Sequence, residues 1–418
     1  MPGDSVGRDT VLVTRSGTIA DSSALLELVG GAHDRGRAVR LRVAHHLKND
    51  DFGGLVGIVQ LIATWANRDP ERVVHSYIDP STSDDELRRT LCDEPQLLIA
   101  AVVARTVLSS RGIDITRRLK ALAREASAQA ADDPAFRRVG HASFLAYEDP
   151  RTRWTSVAAP LYDSVRVRDW MWDPQAPPVG WPYPANRPPR VLRGSAFASW
   201  LRRLTSELIR NADAAIPDVA FSSIAVALSE TFDNADQWGR SLTIEQSSFR
   251  LLRMEWASRT PKELSALGAG DAVINGYARR AGTRGTQFHA EYSVVDGGPG
   301  IYFRRLQRLG LHENSARAQF DVMRSVIADG VTDDPGGAGE ERGRGFTHIF
   351  EALTDLKGAV RIRTGRLALS RDFEANPFRQ EESARPSIFD SMTGSEEPTE
   401  HPSVCGTSVT LIVPTRKV

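Results

Sequence analysis

One helix-forming segment of the chain carries a carboxylate and a carboxamide four residues apart. In AFSSIAVALSETFDNADQWG, Phe221, Ile224, Ala225, Leu228 and Phe232 recur at helical spacing. They make one stripe that predicts a buried face. Glu230 and Asn234 sit one turn apart off that stripe, so their side chains are neighbours. A carboxamide oxygen can ligate a hard cation such as Mg2+. A carboxylate beside it can take a proton from water or from a hydroxyl. Gly239 follows as a plausible C-terminal cap.

A second group ends a strand. Phe288, Ala290, Tyr292 and Val294 alternate, and then come Asp296-Gly-Gly-Pro-Gly300-Ile301. A carboxylate at a strand tip is an acceptor that can receive the exocyclic amine of adenine. The glycines let backbone approach a ligand closely. A third group is the stretch GVTDDPGGAGEERGRGFTHIFEAL, in which Gly336, Gly337, Gly339, Gly343 and Gly345 precede a helix. Phe346, Ile349, Phe350 and Leu353 share one face of that helix. Backbone N–H groups at a helix start bind phosphate. Arg342 and Arg344 can add positive charge against it. Gly358 ends the helix, AVRIRTG reads as a strand and turn, and Gly406-Thr407 opens the last strand.

Together these segments resemble the GHKL (Bergerat-fold) superfamily of gyrase-type ATPases, heat-shock chaperones, sensor histidine kinases and MutL. Glu230-x-x-x-Asn234-Ala235 resembles its N box. Asp296-x-Gly298-x-Gly300 and Gly343-Arg344-Gly345-Phe346 resemble its two glycine boxes. Gly406-Thr407 resembles its closing Gly-Thr. The resemblance implies an α/β sandwich with a mixed sheet, helices on one face, and Mg-ATP between helices and lid. Asn234 would hold Mg2+, Asp296 and Thr407 would meet adenine, and Gly298, Gly300 and Ile301 would shape the first glycine turn. Arg342, Gly343, Arg344, Gly345 and Phe346 would border the phosphates, Glu230 would be the catalytic base, and residues 303–342 would be the lid.

Two departures qualify the carry-over. Gyrase-like members take a lysine from a following domain, whereas here Lys357 falls at a helix end and Lys417 in the tail. An arginine or a partner would have to supply that charge. After Asn234 the chain reads Ala-Asp-Gln-Trp238-Gly, similar to anti-sigma kinases except that tryptophan replaces histidine. Three functions follow as expectations. The first is an ATP-hydrolysing conformational switch in signal transduction. The second is a protein kinase of histidine or anti-sigma serine type, and the third a non-catalytic ATP-binding interaction module.

The elements that must position these groups begin near residue 191 and run to 418 as an ATP-binding domain. Within it, residues 371–403 are polar, acidic and proline-bearing, and read as a flexible surface insertion. Residues 150–190 combine tryptophans with many prolines and read as an ordered linker. Residues 1–149 read as a smaller α/β domain, with strands at 10–14, 39–45 and 72–78 and helices at 22–30, 55–67, about 84–109 and 115–131. Asp84 is placed to cap the third of those helices. This region is loosely similar to STAS-type regulatory domains.

Composition narrows the classes. The 418 residues hold 41% hydrophobic and 25% charged residues, an ordinary globular balance. Lys+Arg and Asp+Glu both number 53, so a nucleic-acid footprint is not indicated. Cys92 and Cys405 fit a reducing compartment. No signal-peptide pattern opens the chain, and the apolar runs Leu55–Ala66 and Leu97–Leu108 are too short to span a bilayer. These features predict a cytoplasmic protein, and the resemblance implies ATP, and a protein partner or second copy, as its partners. His45-His46-Leu-Lys48-Asn49 echoes a phosphoacceptor box, but it follows a strand and reads as a structural pair. Gly268-Ala-Gly270 reads as a turn, and Arg250 and Arg253 as solvated helix positions. Neither HExxH, paired CxxC nor a Walker loop occurs.

Overall fold

The computed structural model describes residues 9–13, 18–47, 51–132, 140–149, 154–156, 191–208, 214–215, 218–239, 248–285, 288–303, 314–329 and 345–417. It is a mixed α/β structure with one parallel and one antiparallel sheet. The parallel sheet contains β1 (Asp9–Val13), β2 (Val39–Val43), β3 (Val73–Ser76) and β4 (Thr106–Leu108), in that spatial order. Between them run α1 (Ile19–Asp34), α2 (Gly54–Arg68), α3 (Asp84–Asp93) and α4 (Pro95–Val103), and α5 (Thr116–Asp132) follows.

The expected 84–109 helix is two helices and a strand. Pro95 has no N–H to continue α3, so the chain restarts as α4 there. The cap of α3 is Ser83, whose side chain accepts from Glu86 N–H, and Asp84 is already the first helical residue. The apolar run through Leu108 hides β4, because a short buried strand and a buried helix share one composition.

The second sheet is larger. Its strands are β5 (His141–Asp149), β6 (Trp154–Ser156), β7 (Ala214–Ala215), β8 (Ser248–Ser258), β9 (Phe288–Asp296), β10 (Ala359–Gly365), β11 (Leu367–Asp372), β12 (Phe389–Asp390) and β13 (Val404–Lys417). Their order is β12-β11-β10-β13-β9-β8-β5-β6, with β7 on the end of β13. Residues 141–156 therefore extend this sheet from the N-terminal side.

The expected mixed sheet is instead antiparallel at every described pairing. Side-chain periodicity carries no strand direction. Direction follows from where connections return, and the chain leaving β8 at Ser258 re-enters β9 opposite it at Phe288. β8 itself was hidden, because Arg250 and Arg253 read as solvated helix residues. Both are buried strand residues: Arg250 pairs with Asp236 at 3.0 Å, and Arg253 donates to Glu255 at 2.9 Å. Charges in a buried strand persist only when paired in this way.

One face of the large sheet carries α6 (Gly194–Leu208), α7 (Asp218–Trp238), α10 (Ala316–Asp329) and α11 (Gly345–Leu356). Tyr292, Val294, Leu411 and Ile362 meet Phe232, Ile349 and Phe350 there. The expectation of helices on one face only fails. The other face holds α2, with α8 (Pro261–Ala266) and α9 (Ala272–Thr283) beside it. α2 is buried from Gly54 through Ala66, polar Gln60 and Thr64 included, as a helix between two layers must be. Trp65 Nε1 donates to Val39 O of the small sheet, and Gln60 Nε2 donates to Arg363 O of the large one, so α2 lies between them.

Residues 371–403, read as flexible, are folded around two buried charges. The Arg371 guanidinium donates to the carbonyls of Asn376, Pro377 and Ser387 and stacks near Phe350, Phe373 and Phe378. Asp390 accepts from the N–H groups of Met392, Thr393 and Thr399. Polar composition suggested solvent, but here it satisfies loop backbone. The expected lid of residues 303–342 also contains α10, which buries Phe320, Met323 and Ile327. Among the described residues no helix is long and apolar enough to cross a membrane.

The buried face under α2 is polar. Ser293 Oγ meets Thr410 Oγ1 at 2.9 Å, and Arg361 stands 3.4 Å from Asp271. Burial, and then the Glu255 charge, push the Glu291 carboxyl up to about 7. Its unfolded value is the ordinary 4.5, so the native state holds the extra proton between these values. The contribution of this group is therefore fully present below pH 4.5 and is lost as pH rises through about 7. Urea unfolding should show this loss in the parent chain and not in Glu291→Gln. Parallel pH dependences in the two proteins would contradict the assignment.

Candidate functional site

The predicted groups converge on a single cleft. α7 supplies Thr231, Asn234 and Ala235, β9 supplies Val294 and Asp296, and β13 supplies Thr407 and Val409. Ile301 follows the first glycine turn, and Phe346 lies in the first turn of α11. The cleft encloses about 310 Å³, some of it open to solvent. Its walls are mainly apolar, and Asp296 and Asn234 are both among its lining residues.

Asp296 is 1% exposed. Its Oδ1 accepts from Gly298 N–H at 3.0 Å and its Oδ2 from Thr407 N–H at 3.1 Å. This one side chain therefore ties the glycine turn after β9 to the start of β13. Backbone crowds around it. A Cβ on Gly239 would stand 2.4 Å from Asp296 Cβ, and one on Gly406 would stand 1.9 Å from Asp296 O. A Cβ on Gly298 would meet Gly239 O at 2.4 Å. Gly239 thus serves close packing, and its N–H still donates to Ala235 O. Gly300 has φ +85°, which a side chain rarely adopts.

The other end of the cleft is set by α7 and α11. The predicted stripe of α7 is buried as expected: Phe221, Ile224, Ala225, Leu228 and Phe232 all face the core. Glu230 and Asn234 are half-buried off it. Gly345 opens α11 against this pair. A Cβ there would lie 3.1 Å from Asn234 Nδ2 and 3.2 Å from Glu230 Oε2. The positive end of the α11 dipole therefore sits beside the carboxylate and the amide. Burial holds the Glu230 carboxyl above its ordinary value. Asp233 acts in the same direction, and Arg193 and His348 oppose it. Arg193 is ion-paired with Asp233.

Asn234, Asp296, Ile301, Phe346 and Thr407 are thus brought to one cavity, with Gly298 and Gly300 forming its turn and Glu230 and Gly345 adjoining it. Arg342, Gly343 and Arg344 lie outside the described residues. Lys357 ends α11, about 17 Å along the helix from Phe346, so it is remote from the cleft. His46 pairs with Glu94 at 2.7 Å, and His45 O accepts from Gln96, so the histidines tie down the loop after β2. Gly268 and Gly270 form a turn with positive φ, as expected.

Several contributors were not foreseen. Thr364 Oγ1 meets Thr407 Oγ1 at 3.0 Å beneath the cleft. More telling is α2. Asn67 Nδ2 donates to Gly297 O at 3.2 Å, inside the first glycine turn. Thr64 Oγ1 accepts from Cys405 N–H at 2.9 Å, and Gln60 Oε1 accepts from Ser408 Oγ at 3.1 Å. The small domain is hydrogen-bonded to both segments that hold Asp296. The one available signal was Gln60, a polar residue in an otherwise apolar run, which implies a specific buried partner.

No protein-family model matches the chain, and no curated protein matches it.

The glycine packing around Asp296 has a measurable consequence. Gly239→Ala should destabilise the chain by about 1–3 kcal/mol through overpacking. Gly276→Ala, in the interior of α9 with its nearest neighbour at 3.6 Å, should instead stabilise by about 0.5–1 kcal/mol. Urea denaturation of both variants checks the opposite signs. Equal effects would show that the close approach to Asp296 is not required.

Proposed function

We propose that residues 191–418, together with the strands at 141–156, form a GHKL-type (Bergerat) ATP-binding domain. In this reading the protein is an Mg-ATP-dependent conformational switch. The observation that carries it is the shared cleft of Asn234 and Asp296, residues 62 positions apart on different elements. In this reading adenine lies against Val294, Ile301 and Val409 once the cleft opens, with its exocyclic amine donating to Asp296. The phosphates extend toward Asn234 and the N-terminus of α11, where helix N–H groups favour anions. Asn234 Oδ1 would be one oxygen ligand of Mg2+, which takes its others from phosphate and water.

Glu230 is assigned as the general base. It stands beside Asn234, and its burial raises its proton affinity toward the working pH, which suits a group that takes a proton from water. The hydrogen bonds from α2 to Gly297, Cys405 and Ser408 favour a switch over an isolated binding module. Any movement of the glycine turn on nucleotide binding would be felt by the small domain directly. A partner protein or a second copy is the expected recipient of that signal, and nucleic acid is not indicated by the balanced charge.

Two measurements test the reading. ATP should bind about 5- to 150-fold more tightly than ITP, which lacks the exocyclic amine, because Asp296 would lose a donor worth about 1–3 kcal/mol. Equal affinities by calorimetry would remove Asp296 from adenine recognition. Glu230→Ala should lower phosphate release from γ-labelled ATP by about 10²–10⁴-fold while sparing ATP affinity. In the parent chain, phosphate release should fall as pH drops through a midpoint above 4.5, since the base must be deprotonated. Unchanged turnover in the variant would overturn the base assignment. Label retained on protein would instead indicate a kinase.

A further inference from the structure

Among the described residues, no helix covers the outer face of the parallel sheet. Every described crossover of β1 to β4 lies on one side, where α1, α2, α4 and α5 pack side by side. That side buries Val11, Leu41, Val74 and Val107. The strand residues between them point the other way. By register, Leu12, Arg42, His75 and Leu108 stand in one row across the four strands. Arg40 precedes Arg42 on the same face, and Tyr77 follows His75. Leu12 is 48% exposed and Tyr77 39% exposed. All-parallel sheets occur almost only with both faces covered, so a bare face of this kind is unusual.

The face is chemically one-sided. Its outward strand positions carry two arginines and a histidine and no carboxylate. The Arg42 guanidinium lies 4.5 Å from the centre of the Tyr77 ring. Burial, and then Arg40 and Arg42, lower the proton affinity of His75, so the arginines carry the charge. Between the cations lie aliphatic side chains.

We propose that this face is a docking surface for an acidic amphipathic helix of a partner protein. Such a helix supplies the missing layer, with leucine-type residues on Leu12 and Leu108 and carboxylates on Arg40 and Arg42. Neighbouring strands are about 4.8 Å apart, so the four span roughly 14 Å, and a helix of about ten to twelve residues crosses them. A nucleic acid is disfavoured, since binding there rests on many phosphate contacts and this face offers two permanent charges among aliphatics. The proposal is independent of the nucleotide reading.

The test is a displayed library of 14-residue helical peptides, with Leu, Ala, Glu and Lys allowed at every position. It is selected on the full-length chain after depletion on the Leu12→Asp/Arg42→Glu double variant. The retained peptides should be amphipathic and enriched in Glu over Lys. They should slow hydrogen exchange in 39–43 and 73–77, and bind Arg42→Glu at least 10-fold more weakly. The variants should keep the parent unfolding midpoint and ATP affinity, because these side chains are exposed and remote from the cleft. The proposal is overturned if depletion leaves no binders or leaves Lys-rich ones. It is also overturned if a single-stranded oligonucleotide protects the same strands better, or if sedimentation shows a dimer that Leu12→Asp dissociates.

Discussion

The arrangement of the large domain turns on how one buried carboxylate is satisfied. A charge with almost no exposure is costly unless hydrogen bonds surround it. Asp296 meets that requirement with two backbone N–H groups, Gly298 on one side and Thr407 on the other. Those bonds place the glycine turn after β9 against the first residues of β13, although 111 residues separate Asp296 from Thr407. The backbone must then pass close to the carboxylate, and only glycine allows it at 239, 298 and 406. The floor of the cleft follows from that packing.

The same constraint explains how the two sheets are joined. Held against each other, the glycine turn and β13 present carbonyl and N–H groups on the far side of the large sheet. α2 answers them with Gln60, Thr64 and Asn67 while its apolar residues fill the core between the two sheets. A helix buried on all sides has no solvated face to tolerate a shift. The glycine turn and the small sheet are therefore mechanically linked through α2. This link gives the proposed switch its physical route.

Much of this was legible in the sequence, where local pattern and chemistry agree. The stripe of α7, the alternation of β9 and the glycines around Asp296 each pointed to their element, and the cleft unites them. The rest was hidden for identifiable reasons. β8 carries Arg250, Arg253 and Glu255 inward, so its hydrophobic period is broken by charges that find partners only in the folded chain. Strand direction has no sequence period, so the mixed sheet implied by the resemblance had no local pattern to correct it. Residues 371–403 looked solvated because polar composition does not distinguish side chains that face water from those that satisfy backbone. The role of α2 depends on contacts across more than 200 positions, which no local window contains.

The central claim is that Asp296 and Asn234 hold opposite ends of one nucleotide. A crystal structure grown with Mg2+ and a non-hydrolysable ATP analogue tests it most directly. The account predicts the adenine amine within hydrogen-bond distance of an Asp296 oxygen and Mg2+ on Asn234 Oδ1, with phosphates at the start of α11. Nucleotide bound elsewhere, or a cleft that stays closed at saturating analogue, would contradict it.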